Sequence, residues 1–242
     1  MVYQLKILRG AGNVRFWQTF DSPCTCADSV ARALEELNER TVLRDSAGQE
    51  AEPIAWECAC LEKKCGACAM VIGGTPRLAC ATRLCEAADK GGCVTLEPLK
   101  KFRRIRDLQV DRSEMFTALQ EMELWLENDA ELVEEERRAL HYRAASCLMC
   151  GLCLEVCPNF SPGRTFVGAA AAAAAYRAFE PSAAGVHREA LRAQYRKRFF
   201  NDCAKSLACQ DICPAQVPVE QLLVKTNAAA IWRRREKKHG AR

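Results

Sequence analysis

Eleven of the sixteen cysteines fall at spacings that suit iron–sulfur clusters. Cys147-x2-Cys150-x2-Cys153-x3-Cys157-Pro158 is repeated as Cys203-x2-Ser206-x2-Cys209-x3-Cys213-Pro214, with one residue changed. A cysteine run ending in Cys-Pro holds cubane clusters, and its fourth Cys ligates the other cluster when two lie side by side. That crossed logic predicts a [4Fe–4S] cluster on Cys147, Cys150, Cys153 and Cys213. It leaves Cys157, Cys203 and Cys209, and three thiols suit a [3Fe–4S] cluster. The competing reading is a four-iron cluster completed by Ser206 or water, although a hydroxyl oxygen is a much poorer ligand for soft iron–sulfide. Upstream, Cys60-x4-Cys65-x2-Cys68-x11-Cys80 has the spacing of a plant-type [2Fe–2S] site. Three clusters in one short chain describe an electron wire.

Five cysteines fit no ligand spacing: Cys24, Cys26, Cys58, Cys85 and Cys93. Cys58 could compete with Cys60, but only Cys60 gives the four-residue gap to Cys65. All five are read as small packing residues. His141, His187 and His239 show no metal spacing. Neither a Walker loop, a Rossmann glycine fingerprint nor a Ser/His/Asp set occurs, so no catalytic residue is assigned.

The elements that must position these thiols divide the 242 residues into two expected domains. Residues 1–105 read as α+β. Val2 to Leu8 and Val14 to Phe20 are strand-like, joined through Gly10-Ala11-Gly12. Asp28 is the expected cap of a helix carrying Val30, Leu34 and Leu37. Met70 to Ile72 and Arg77 to Ala79 flank Gly73-Gly74 as a hairpin, and Cys93 to Leu96 is a last strand. This order fits a β-grasp [2Fe–2S] ferredoxin domain with the cluster in a loop, where irregular backbone supplies N–H donors to sulfur. Residues 106–242 read as all-helical, a two-cluster ferredoxin domain. Met115, Leu119, Met122 and Leu126 form an apolar stripe, and Glu131 to Ala144 suits a helix. Ala-rich Val167 to Phe179, Arg188 to Phe199 and Val219 to Trp232 complete the set.

Net charge is +4, from 35 Lys+Arg against 31 Asp+Glu, which gives no support for nucleic-acid binding. The basic runs Lys100 to Arg104 and Arg233 to Lys238 read first as a solvated face and a tail; the sharper reading for the tail is contact with anionic lipid or a membrane partner. Met1 to Lys6 leads directly into a strand pattern, which predicts no secretory signal, so the thiols are expected to stay reduced and free for metal. No uncharged stretch exceeds the twelve residues found between Arg164 and Arg177, against the roughly 20 that span a bilayer. No transmembrane segment of its own is expected.

Taken together, the three cysteine groups with Gly66-Ala67-Cys68-Ala69-Met70 and Arg77-Leu78-Ala79-Cys80 resemble the iron–sulfur subunit of succinate dehydrogenase and fumarate reductase. Leu96 to Leu99, Arg106-Asp107-Leu108 and Val110-Asp111 are similar too, and the resemblance covers nearly the whole chain. Phe166 to Ala170 resembles most closely the members paired with a dihaem cytochrome b anchor that uses menaquinone. The resemblance implies a non-catalytic electron-transfer subunit of a succinate:quinone oxidoreductase, peripheral on the cytoplasmic face of the bacterial inner membrane. It implies an FAD flavoprotein partner that passes single electrons to [2Fe–2S], then [4Fe–4S], then [3Fe–4S], and on to a cytochrome b anchor with haem and menaquinone. One departure stands out. The family's first loop usually reads Cys-Arg-x-Gly-x-Cys, whereas here Lys63 takes the glycine position, an exchange expected to change the local backbone and add charge. Two other readings remain: a related flavoprotein reductase of another enoate or a thiol-linked fumarate reductase, and a free ferredoxin-like carrier, against which stands the near-neutral charge.

Overall fold

The computed structural model describes residues 2–125, 135–179 and 186–232. The chain divides into two compact units: Met1–Ser113 with Leu148–Val156 and Ile212–Pro214, and Glu114–Cys147 with Cys157–Asp211 and Ala215–Arg242.

The first unit is built on a five-stranded mixed sheet in the order β2-β1-β5-β3-β4. Strand β1 (Tyr3–Arg9) pairs antiparallel with β2 (Phe16–Ser22) and parallel with β5 (Cys93–Glu97). β3 (Ala69–Ile72) pairs antiparallel with both β5 and β4 (Thr75–Leu78). This is the β-grasp arrangement that the sequence pattern predicts. Alternation along β1 buries Tyr3, Leu5, Ile7 and Arg9, and helix α1 (Val30–Asn38) lays Val30, Leu34 and Leu37 into the same core. The β3–β4 turn has φ +56° at Gly73 and +79° at Gly74, the two left-handed residues that a tight hairpin demands.

Three features depart from expectation. The cap of α1 is Ser29, whose side chain accepts from the Arg32 N–H; Asp28 accepts from Thr25 instead, one residue too early to cap. A second small sheet, β6 (Arg103–Arg106) with β7 (Gln109–Asp111), crosses residue 105. Lastly, the Lys100 to Arg104 run is not merely a solvated face. The Lys100 and Lys101 N–H groups donate to the Glu155 carboxylate, and Arg104 donates to the carbonyls of Gly12 and Val14. Arg104 therefore holds the β1–β2 connection, whose strands lie one and two residues later than predicted.

Beneath that connection is a buried charge pair. Arg9 and Asp107 are 3% and 2% exposed and approach to 3.1 Å. Asp107 also accepts from the N–H groups of Gly10 and Ala55, while Arg9 donates to the Glu52 carbonyl. The β6–β7 turn is thereby pinned to β1.

In the second unit, α3 (Ser113–Glu121) buries Met115, and Met122 just beyond its end is buried too; Leu126 of the predicted stripe lies outside the described residues. Helix α4 (Glu135–Ala145) covers the described part of the span expected from Glu131. Helix α6 (Gly168–Phe179) is buried nearly throughout and packs on α4 and on α9 (Val219–Asn227), because its alanines let the axes approach closely. Helix α7 (Val186–Tyr195) continues as a π-helical turn, Arg196–Phe200. Tyr195 stacks on Phe199, and its hydroxyl donates to Asn227 Oδ1 at 2.8 Å. His141 packs on Tyr176. The Arg233 to Lys238 run and His239 lie outside the described residues.

Asp107→Asn keeps the side-chain shape but strands the Arg9 guanidinium in a buried position. It should destabilise the protein by about 3–5 kcal/mol, read as a fall in the urea midpoint with the slope unchanged.

Candidate iron–sulfur sites

The Cys60–Cys65 loop curls around its own sulfurs. Leu61 and Lys63 are left-handed, with φ +54° and +61°. Alternating right- and left-handed residues turn successive N–H groups to one side and make an anion-binding nest. The N–H groups of Glu62, Lys64 and Cys65 reach Cys60 Sγ at 3.4, 3.2 and 3.3 Å. Lys63 N–H points at Cys80 Sγ at 3.3 Å and Ala67 N–H at Cys65 Sγ at 3.4 Å. Cys80 N–H reaches Cys68 Sγ at 3.5 Å, and the Cys68 and Cys80 sulfurs are 3.3 Å apart. The four predicted thiols are therefore brought together, and Cys60 rather than Cys58 receives the loop's donors.

This cage suits a cluster of thiolates. The Glu62 and Lys64 N–H groups pull the Cys60 thiol down to about 7, while burial pushes Cys68 up to about 12. A buried thiolate at Cys68 needs a cation against it, and ligated iron is such a cation. Lys63 carries its side chain at a left-handed backbone position. Its φ is one that glycine adopts freely, so a side chain there costs strain.

Two contacts fix this loop in the first unit. Gly66 has φ +77°, and a Cβ there would come within 2.7 Å of Cys150 Cβ and 3.0 Å of the Leu148 carbonyl. The first cysteine loop therefore rests directly on the loop that carries Cys150. Arg112, only 13% exposed, donates to the carbonyls of Gly66 and Ala67 and pairs with Glu57. Nothing in the sequence marked Arg112, because a lone arginine after a strand carries no motif.

The duplicated motif keeps its backbone geometry in both copies. Met149 and Lys205, each two residues after the first Cys, have φ +51° and +58°. Gly151 and Leu207, each following the second ligand position, have φ +85° and +59°. Short helices then begin at Leu152 (α5, Leu152–Val156) and Ala208 (α8, Ala208–Asp211). Ser206 thus occupies the same bracketed position as Cys150. Cys150, Cys153 and Cys213 belong to the first unit, and Cys147 stands next to Leu148 at its border.

Cys157, Cys203 and Cys209 all lie in the second unit, close enough that Cys157 helps to raise the pKa of Cys203, and both help to raise that of Cys209. Burial is the main cause, taking Cys209 to about 11, and the N–H groups of Lys205 and Gln210 oppose it. Asn159, after the first Cys-Pro, donates to the Asp202 carbonyl at 2.7 Å and so ties the segment after Cys157 to the one before Cys203, both in the second unit. Among the described residues, no three His, Cys, Asp or Glu side chains converge as a single-ion site would require. A multi-iron cluster holds its ligand sulfurs farther apart than that.

Substitutions in the first loop separate strain from donor chemistry. Lys63→Gly should raise stability by about 1 kcal/mol by relieving the left-handed residue and leave iron content unchanged. Lys63→Pro removes the N–H aimed at Cys80 and cannot adopt a positive φ, so about two iron atoms per chain should be lost. Gly66→Ala should lower [2Fe–2S] occupancy as well, seen in the visible circular dichroism.

Comparison with known proteins agrees with this geometry. The family described as "2Fe-2S iron-sulfur cluster binding domain" matches residues 4–117, and "4Fe-4S dicluster domain" matches residues 143–217. The succinate dehydrogenase iron–sulfur subunit of Bacillus subtilis (strain 168) is 33% identical over 226 residues, covering 90% of this chain and 87% of its own. The fumarate reductase iron–sulfur subunit of Wolinella succinogenes is 33% identical over 171 residues, covering 64% of this chain and 69% of its own. A chain of the Mycobacterium smegmatis Sdh1 complex in the apo form shares the fold, with a TM-score of 0.78 at 19% identity and 95% coverage of both chains. With cysteine spacing, mixed sheet, helical dicluster region and sequence identity all in agreement, the chain belongs to the family of succinate dehydrogenase and fumarate reductase iron–sulfur subunits.

Proposed function

We propose that this chain relays single electrons between a flavoprotein subunit and a membrane anchor in a succinate- or fumarate-linked oxidoreductase. The observation that carries the reading is the contact of the Cys65–Cys68 loop with the Cys150 loop, which continues into a duplicated motif bearing three further thiols. The proposed ligands are Cys60, Cys65, Cys68 and Cys80 for [2Fe–2S]; Cys147, Cys150, Cys153 and Cys213 for [4Fe–4S]; and Cys157, Cys203 and Cys209 for [3Fe–4S]. Bound clusters supply one-electron chemistry, with potentials set by cluster type, charge and hydrogen bonds to sulfur. The chain's own groups tune that chemistry. Backbone N–H donors around Cys60 and Cys80 stabilise negative charge, and Lys63, Lys64 and Lys205 add positive charge beside the loops.

Membrane attachment, in this reading, comes from a partner. Among the described residues no helix is long and apolar enough to cross a membrane. The similarity at Phe166 to Ala170 favours a cytochrome b anchor with haem and menaquinone, and a peripheral place on the cytoplasmic face of the inner membrane.

Anaerobic analysis of the loaded chain should find about nine iron atoms, with a nearly isotropic three-iron EPR signal when oxidised. The absence of that signal would remove the [3Fe–4S] assignment. Purified free of other proteins, the chain should oxidise no succinate and reduce no fumarate; turnover should need an FAD subunit, and quinone coupling an anchor.

Ser206→Cys tests the second copy. Its backbone already brackets Ser206 as it brackets Cys150, so a thiol there should convert the three-iron centre towards four iron. The added thiolate charge disfavours reduction, and the potential should drop by on the order of 100 mV or more. For one electron, about 59 mV is a factor of ten in equilibrium. Quinone-linked turnover should slow while dye reduction at the flavin side survives. An unaltered three-iron signal with normal quinone activity would show that Ser206 is not at a ligand position.

A further inference from the structure

Cys26 and Cys85 belong to none of the three ligand sets, and both are exposed. They are 59 residues apart in sequence, yet Cys85 Sγ donates to the Cys26 carbonyl at 3.1 Å. Cys26 also lies close enough to raise the pKa of the Cys85 thiol and, after burial, that of the Tyr3 hydroxyl. Backbone pairing holds them there. Leu84 N–H donates to the Asp28 carbonyl at 3.0 Å, Val30 N–H to the Thr82 carbonyl at 2.9 Å, and Ser29 bridges Arg83. Sequence spacing treated both residues as packing cysteines, because their partnership exists only in the fold.

We propose that Cys26 and Cys85 are a reversible dithiol–disulfide couple, oxidised by a hydroperoxide, that closes a covalent loop around the [2Fe–2S] ligands. The segment between them carries Cys60, Cys65, Cys68 and Cys80, so the bond braces the whole first cluster site. In the first step one thiolate attacks the peroxide. An S–O bond forms, the O–O bond breaks and water or an alcohol leaves, giving a sulfenic acid. The other thiol then attacks that sulfur. The S–S bond forms, the S–O bond breaks and water leaves, so two thiols give up two electrons and the peroxide takes them. A dithiol reductant reverses the change by exchange. Exposure of both thiols gives oxidant and reductant access.

The test uses the full cluster-loaded chain, treated anaerobically with one equivalent of hydrogen peroxide, alkylated and digested with trypsin. Mass spectrometry should find the peptide 16–32 linked to the peptide 84–90, and dithiothreitol should release it. Cys24→Ser should keep the link; Cys26→Ser and Cys85→Ser should abolish it. The linked chain should bleach its [2Fe–2S] absorption at a temperature about 5–10 °C higher than the reduced chain, and Cys26→Ser should show no such difference. Full alkylation of Cys26 and Cys85 after peroxide, or a link that survives Cys26→Ser, would overturn the couple. A link that leaves the bleaching temperature unchanged would overturn the bracing role.

Discussion

The constraint on which this molecule rests is the demand of cysteine sulfur for N–H donors within very short loops. Regular helices and strands spend their N–H groups on their own carbonyls. Donors can converge on sulfur only where the backbone alternates between right- and left-handed residues. That accounts for the placing of Leu61, Lys63, Met149, Lys205 and Leu207, all non-glycine and all with φ between +51° and +61°. Each lies between or beside proposed ligand positions. A loop with such geometry has no repeating hydrogen bonds to hold it, so the surrounding elements must.

Those elements are arranged accordingly. β3 and β4 leave and re-enter the first cysteine loop, and their tight turn fixes Cys68 against Cys80 across the sheet edge. Arg112 takes hold of the loop's two carbonyls next to Gly66, whose missing side chain admits the Cys150 loop. Glu155 on α5 accepts two N–H groups from the Lys100 segment, anchoring that second loop to the same unit. The Arg9–Asp107 pair does the same for the β6–β7 turn. Polar contacts from side chain to backbone, rather than apolar area alone, hold the cysteine loops in place.

This division explains what the sequence reveals. Thiol spacing is dictated by cluster chemistry, so all three proposed ligand groups and the altered second copy are readable from it. Apolar alternation likewise exposes β1, the β3–β4 hairpin and the helices that flank the alanine-rich α6. The side chain-to-backbone contacts carry no such period. Arg104 and Arg112 look like ordinary surface charges, and Ser29 competes with the equally plausible cap Asp28. Neither can be ranked without knowing which backbone groups lie opposite. Cys26 and Cys85 are hidden for the same reason, since the backbone bonds beside them join segments far apart in sequence.

Strain completes the argument. Five left-handed residues that carry side chains cost roughly 1–2 kcal/mol each, so about 5–10 kcal/mol in all. A whole domain is stable by only about 5–15 kcal/mol. Burial adds to that cost, because it opposes the thiolate form at Cys68, Cys203 and Cys209. Only a ligated cation offsets both terms at once: it stabilises the thiolates directly and gives the converging N–H groups a negative charge to face. Metal loading and the folding of these loops are therefore one coupled equilibrium. The Lys63 and Leu207 positions show how far it can be loaded, since each keeps a conformation natural to glycine while carrying a full side chain.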